Sequence, residues 1–172
     1  CSDINLYPWP EEEEKTNGDF KWESLPISYG IINCTDLQEQ HIQKAEEVIE
    51  EYLGQDIYNF VGYGKVNFYC QNSFDNVLLN WETDFWDTGV YFPASQPYYE
   101  FDDNGEIMNI KIILFAENRR CGGIEVHELL HGAGLRSHYG PWMNREIELC
   151  DTNTMIVGQE ALDRLKELYG LG

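Results

Sequence analysis

The sequence predicts a mixed α/β domain, one sheet of short strands with three helices packed on it. Three observations lead there. A capped amphipathic segment lies near the start, a series of β-rich runs separated by turn residues fills the middle, and two helical segments occupy the last third.

Residues 1–19, with Pro8, Pro10 and the Glu11 to Glu14 run, lack hydrophobic periodicity and are expected to form a flexible acidic tether, leaving 20–172 as the folded domain. Ile27 to Ile32 alternates apolar residues around Ser28 and Gly30 and reads as the first strand. Thr35, followed three residues later by Gln38, has the form of a capping box, so a helix is expected to follow. Leu37, Ile42, Ala45, Val48, Ile49, Tyr52 and Leu53 fall mostly on one face of it, and Gly54 supplies a stop. Val61 to Tyr69, Val77 to Trp81 and Gly89 to Phe92 are β-rich runs bounded by Gly, Asn, Asp and Pro. Tyr98 to Phe101 and Ile107 to Phe115 flank Asp102-Asp103-Asn104-Gly105, which is hairpin turn chemistry. A helix is expected over about Ile124 to Gly132, and a last one from about Gln159 to Tyr169, closed by Gly170. There is no internal repeat.

At 172 residues the chain has the length of one domain, and 42% hydrophobic with 14% aromatic residues marks a globule. Eleven Lys and Arg against thirty-one Asp and Glu give a formal charge of −20, a field that repels phosphate backbones and anionic lipid. Nucleic acid is therefore not expected as a partner, and the charge serves solubility first. The five cysteines form no CxxC pair. Cys1 is the outsider, and the remaining four allow three pairings, of which the sequence-local one, Cys34 with Cys70 and Cys121 with Cys150, is favoured. Either bond implies an oxidising compartment, so the chain is expected to be secreted or extracytoplasmic. A start at Cys-Ser resembles a processed bacterial lipoprotein, with lipid on the Cys1 sulfur, or marks an ordinary processing site. No apolar run reaches the length of a membrane span, so any membrane contact is expected only through that lipid, and a monomer is expected.

The chain holds four histidines, and three lie within His127-Glu-Leu-Leu-His-Gly-Ala-Gly-Leu-Arg-Ser-His138. Helix positions four apart share a face, so His127 and His131 can aim both imidazoles at one Zn2+ while Glu128 sits beside it. Gly132 and Gly134 are expected to break the helix and let the chain double back, bringing His138 as third ligand and leaving a fourth position for water. Glu128 is then the catalytic residue, taking the proton of that water and passing it to the leaving amine of a cleaved peptide. A His-Glu-x-x-His pentapeptide also arises by accident on ordinary helices, where each histidine is a satisfied, partly buried residue. The third histidine and the glycines weigh against accident.

This segment resembles the metzincin signature, HExxHxxGxxH followed by a Met-containing turn, with one departure: the family's spacing puts the third ligand at Ser137, and the histidine is one later, at His138. Met143 or Met155 could supply the turn, and Met155 is preferred because the segment from Gly158 to Gly170 is similar to the end of matrixin domains. Trp22 to Asp36 and Tyr99 to Asp103 are similar to matrixin strands, so the resemblance covers about residues 20–170. It implies a zincin-like α+β fold with a twisted, mostly parallel sheet of about five strands, a long N-terminal helix, a zinc-binding active-site helix and a C-terminal helix. It also implies a zinc endopeptidase acting on protein or peptide substrates, with an edge strand that binds extended peptide. Asp102, Asp103, Asn104 and Glu106 could bind Ca2+ as acidic loops do in matrixins, although a solvated turn explains them better. Arg120-Cys121-Gly122 resembles the matrixin cysteine switch but precedes the catalytic helix, where a disulfide is the better reading. Tyr139 could donate to an oxyanion, or be an ordinary packed aromatic. Two rival readings stay open: a zinc peptidase with Glu146, Glu148 or Glu160 as third ligand, and a secreted or lipid-anchored binding protein with a structural zinc.

Overall fold

A computed structural model of the chain describes residues 18–71, 95–115, 123–140 and 157–172. The elements are β1 (Ile27–Ile32), α1 (Asp36–Leu53), β2 (Tyr58–Phe60), β3 (Val66–Gln71), β4 (Ser95–Phe101), β5 (Ile107–Phe115), α2 (Gly123–Gly132) and α3 (Gln159–Tyr169). The strands form one sheet in the order β2-β1-β3-β5-β4, parallel throughout except for β4, which runs antiparallel to β5 at one edge. The described residues thus have the mixed α/β architecture and the mostly parallel five-stranded sheet. The runs at 77–81 and 89–92, residues 1–17 of the tether, Cys121, Cys150, Met143 and Met155 lie outside the described residues.

Helix α1 starts as its sequence dictates. The Thr35 hydroxyl accepts from the Gln38 amide at 3.2 Å, the Gln38 side chain returns the bond to Thr35 N–H at 2.7 Å, and Gly54 closes the helix in the left-handed region at φ 69°. Ile42, Ala45 and Ile49 are its buried stripe, while Leu37 and Tyr52, counted on that face from the sequence, are exposed at its ends. Glu50 reaches from the last turn to accept from the Ile57 and Tyr58 amides at 2.8 and 3.1 Å, which fixes where β2 begins. The core side of the sheet is built from register rows: Tyr29, Val66 and Ile110 lie side by side, as do Ile31, Phe68 and Ile112. Except for the half-buried Ile31, these residues are fully buried. Helices α1 and α2 pack on each other, and Leu129, Leu130 and Ala133 join the same core.

The run at 61–69 is not one strand, which corrects the sequence expectation. Segment 61–65 crosses over β1 and divides β2 from β3, placing them on opposite sides of β1. Val61 N–H donates to Tyr29 C=O and Lys65 N–H to Ser28 C=O, both at 2.8 Å, so the crossing is tied down at each end. It requires an absent side chain beneath it: a Cβ on Gly30 would stand 2.7 Å from the Gly62 carbonyl oxygen, and one on Gly64 would stand 2.4 Å from Ser28 backbone. Buried Asn67 braces the loop by accepting from Gly64 N–H at 2.9 Å and donating to Gly64 C=O at 2.8 Å.

Cys34 and Cys70 form a disulfide that joins the residues following β1 to β3, as the sequence-local pairing expects. Such a bond belongs to an oxidising, extracytoplasmic environment. Among the described residues no helix is long and apolar enough to cross a membrane.

One contact between α1 and the sheet is pH-sensitive. Tyr29 donates its hydroxyl to Glu46, and burial raises the Glu46 carboxyl above its ordinary range against the lowering effect of that bond. A raised folded-state value favours the protonated form, so this contribution to stability is complete below the unfolded value and is lost as pH rises through the folded one. Glu46→Gln, which fixes the neutral form, is expected to raise the melting temperature at pH 7 by more than the exposed control Glu51→Gln. That advantage should vanish in acid, as thermal melts across pH would record.

Candidate metal centre

Helix α2 carries the site. It is short, and its buried residues run almost continuously from Glu125 to Leu135, so it is a core helix with polar groups placed inside it. Its C-terminal carbonyls are met by donors from distant parts of the chain: Trp22 Nε1–H donates to Gly132 C=O at 2.7 Å, and the hydroxyls of Tyr58 and Tyr169 donate to Leu129 C=O and Ala133 C=O at 2.5 Å each. Phe20 N–H donates to Gly134 C=O at 3.0 Å. Burial pushes the Tyr169 phenol up to about 12 and raises Tyr58 well above its ordinary value, which keeps both hydroxyls as donors.

The two glycines have different jobs. Gly132 is still helical, and its missing side chain admits Tyr58 and Val66, whose Oη and Cγ1 would be 2.7 and 3.1 Å from a Cβ there. Gly134 makes the turn, at φ 120°, where a Cβ would fall 1.9 Å from the Phe20 carbonyl oxygen. The expectation that both glycines break the helix is therefore corrected to Gly134 alone.

The turn brings His138 back over the helix. His127, His131 and His138 are all buried, and one potential ligand atom from each lies within 4.8 Å of the others. The Nε2 atoms of His127 and His131 are 3.0 Å apart, close to the about 3.3 Å that two nitrogens of a tetrahedral site would keep at metal–nitrogen distances of about 2.0–2.1 Å. His131 Nδ1 faces the Leu135 carbonyl, which accepts its proton and leaves Nε2 as the ligand atom. The turn that presents His138 thus also orients His131. Glu128 is fully buried, with Oε1 3.8 Å from His127 Nε2. Three imidazoles beside a carboxylate suit a borderline transition metal rather than calcium or magnesium. The group could therefore hold such an ion, and the residues fit one.

Other residues singled out in the sequence fall elsewhere. Ser137, at the spacing of the metzincin ligand, is buried beside the cluster without belonging to it, and the extra residue is taken up in the turn after Gly134. Glu160 is exposed on α3 and outside the cluster, Glu146 and Glu148 lie outside the described residues, and His41 is on α1. Tyr139 donates its hydroxyl to Asp19. Asp102 Oδ1 accepts from the amides of Asn104 and Glu106 at 2.8 and 2.9 Å, so its carboxylate builds the hairpin turn. The three histidines are the only group of this kind among the described residues that could hold a metal ion.

A scan against protein-family models finds no match for this chain, and a search of curated proteins finds no relative. The site must be read from its own geometry.

Two buried residues escaped the sequence reading. Glu125 is fully buried two positions before His127, signalled only by being an acid within an apolar helix. Asp19, assigned to the tether, is part of the packed domain: its side chain is 3% exposed and pairs with Arg164 Nε at 2.7 Å.

Removing the Tyr169 hydroxyl tests the capping of α2. Tyr169→Phe keeps the ring but strips the donor from Ala133 C=O and the acceptor of Trp22 N–H, and is expected to cost about 1–3 kcal/mol in denaturant unfolding.

Proposed function

We propose that this chain is a zinc-dependent endopeptidase of the metzincin type, most similar to matrixins, with His127, His131 and His138 as metal ligands and Glu128 as the catalytic base. The observation that carries the reading is the convergence of three buried histidines, with the Glu128 carboxylate 3.8 Å from His127 Nε2. Three protein ligands leave a coordination position open, the mark of catalytic rather than structural zinc. When bound, zinc would supply Lewis acidity, polarising a peptide carbonyl and acidifying a water.

The chain's own residues do the rest. Glu128, held in the core with no freedom to wander, takes a proton at its carboxylate and returns it to the amine of the departing product. The hydrogen bond from His131 Nδ1 to Leu135 selects the tautomer whose free nitrogen is Nε2 and aims the ring at the cluster. Strand β4 packs near α2 and, among the described residues, pairs only with β5, so its outer edge could receive an extended peptide by strand addition. The disulfide is consistent with a secreted chain, or one anchored through lipid on Cys1.

Elemental analysis of purified protein is expected to find about one zinc per chain, lost in His127→Ala and His138→Ala. Glu128→Gln should keep zinc and fold while kcat/KM on a peptide library falls by about 100-fold or more. A metal-replete chain without zinc would sink the proposal, and zinc retained in both histidine variants would move the ligand set elsewhere. Zinc with no hydrolysis in the wild type would leave a binding protein with a structural metal.

A further inference from the structure

The loop that carries His138 has neither helix nor strand to fix it. Two ligands project from a rigid helix, whereas the third lies between the turn at Gly134 and the positive φ of 74° at Gly140. A metal site holds its ion no more tightly than its loosest ligand is placed, so something must set the position of this loop.

Asp19 meets it from outside. Its Oδ1 accepts from Arg136 N–H at 3.0 Å, and its Oδ2 accepts from the Tyr139 hydroxyl and from Arg164 Nε at 2.7 Å. Residues 136 and 139 flank His138 on its two sides, and Arg164 belongs to α3, so one buried carboxylate joins both flanks of the third ligand to a helix. The next residue continues the attachment through the bond from Phe20 to Gly134. Arg136 is also held against β4, its guanidinium 4.7 Å from the centre of the Tyr99 ring. The Asp19 carboxylate raises Arg164, so that donor persists at any ordinary pH.

We infer that Asp19 is a positioning residue for the metal centre: its carboxylate fixes the loop on both sides of His138 and so sets where the third ligand stands. The inference rests on the metal-centre reading above. A merely structural ion pair would contribute stability and leave the coordination sphere untouched, so the properties of the metal decide.

The test uses the full chain, stripped of metal, as wild type, Asp19→Ala, Asp19→Asn and Arg164→Gln. Amide hydrogen exchange without metal reads the loop, and a cobalt(II) titration followed by its d–d absorption reads affinity and coordination geometry. In Asp19→Ala, exchange should rise at residues 136–139 and stay unchanged in α1. Cobalt affinity should fall by about 10- to 100-fold with an altered d–d band, the size of effect typical when a ligand's supporting partner is lost. Asp19→Asn, which retains an acceptor oxygen, and Arg164→Gln, which leaves the two loop contacts, should show smaller losses in the same sense, and they carry the comparison if Asp19→Ala does not fold. Wild-type affinity and spectrum in every folded variant would overturn the inference. A wild-type chain that takes up no cobalt would instead overturn the metal-centre reading and this role with it, before any variant is compared.

Discussion

The C-terminal end of α2 sets the arrangement of everything around it. A helix ending inside a protein leaves carbonyl groups that no further turn can satisfy, and their burial is costly without donors. Here the donors are an indole, a phenol and a backbone amide, from the segment before β1 and from α3, while a second phenol, from β2, adds a bond to the Leu129 carbonyl that Ala133 N–H already meets. Each of these elements is thereby placed relative to the helix that carries His127 and His131. The final turn leaves α2 at Gly134, where Phe20 lies against the backbone with no room for a side chain.

This arrangement lets a site of polar groups exist in a core. Two carboxylates and three imidazoles are buried in and just after α2, a concentration that apolar packing alone would not tolerate. A bound cation would balance the carboxylates, and the fixed backbone around them keeps the groups from collapsing onto one another. Among the described residues, the other acidic side chains lie mainly on exposed faces, such as Asp36, Glu47 and Glu51 of α1, where solvent screens them.

Much of the fold was legible because its signals are local. The strand from Ile27 to Ile32, the Thr35 capping box, the stops at Gly54 and Gly170 and the hairpin turn at Asp102 each depend on residues a few positions apart. The His127, Glu128, His131 grouping was legible for the same reason, since helix geometry alone puts two of its rings on one face. His138 could be named but not placed, because its spacing departs by one residue and only the turn at Gly134 decides where it falls. What stayed hidden depends on partners far off in sequence. Asp19 looks like the end of an acidic tail until Arg136 and Arg164 fold onto it, and neither leaves a periodic trace near residue 19. The run at 61–69 reads as continuous because Val61, Tyr63, Val66, Phe68 and Tyr69 spread β-forming residues through it, while the cause of the split, the bare backbone of Gly30, lies in another strand.

The crossing of 61–65 over β1 separates exposure from freedom to vary. Surface loops ordinarily accept insertions, since lengthening a flexible connection costs little entropy, and the turn at Asp102 to Glu106 is of that kind. Tyr63 is as open to solvent as any tip, yet the segment bearing it spans one strand at close contact and is stitched to it at both ends. Its length is set by the width of β1. Over evolutionary time Tyr63 should change readily, Gly64 and the residue count of this stretch hardly at all, and natural insertions should collect in the hairpin instead.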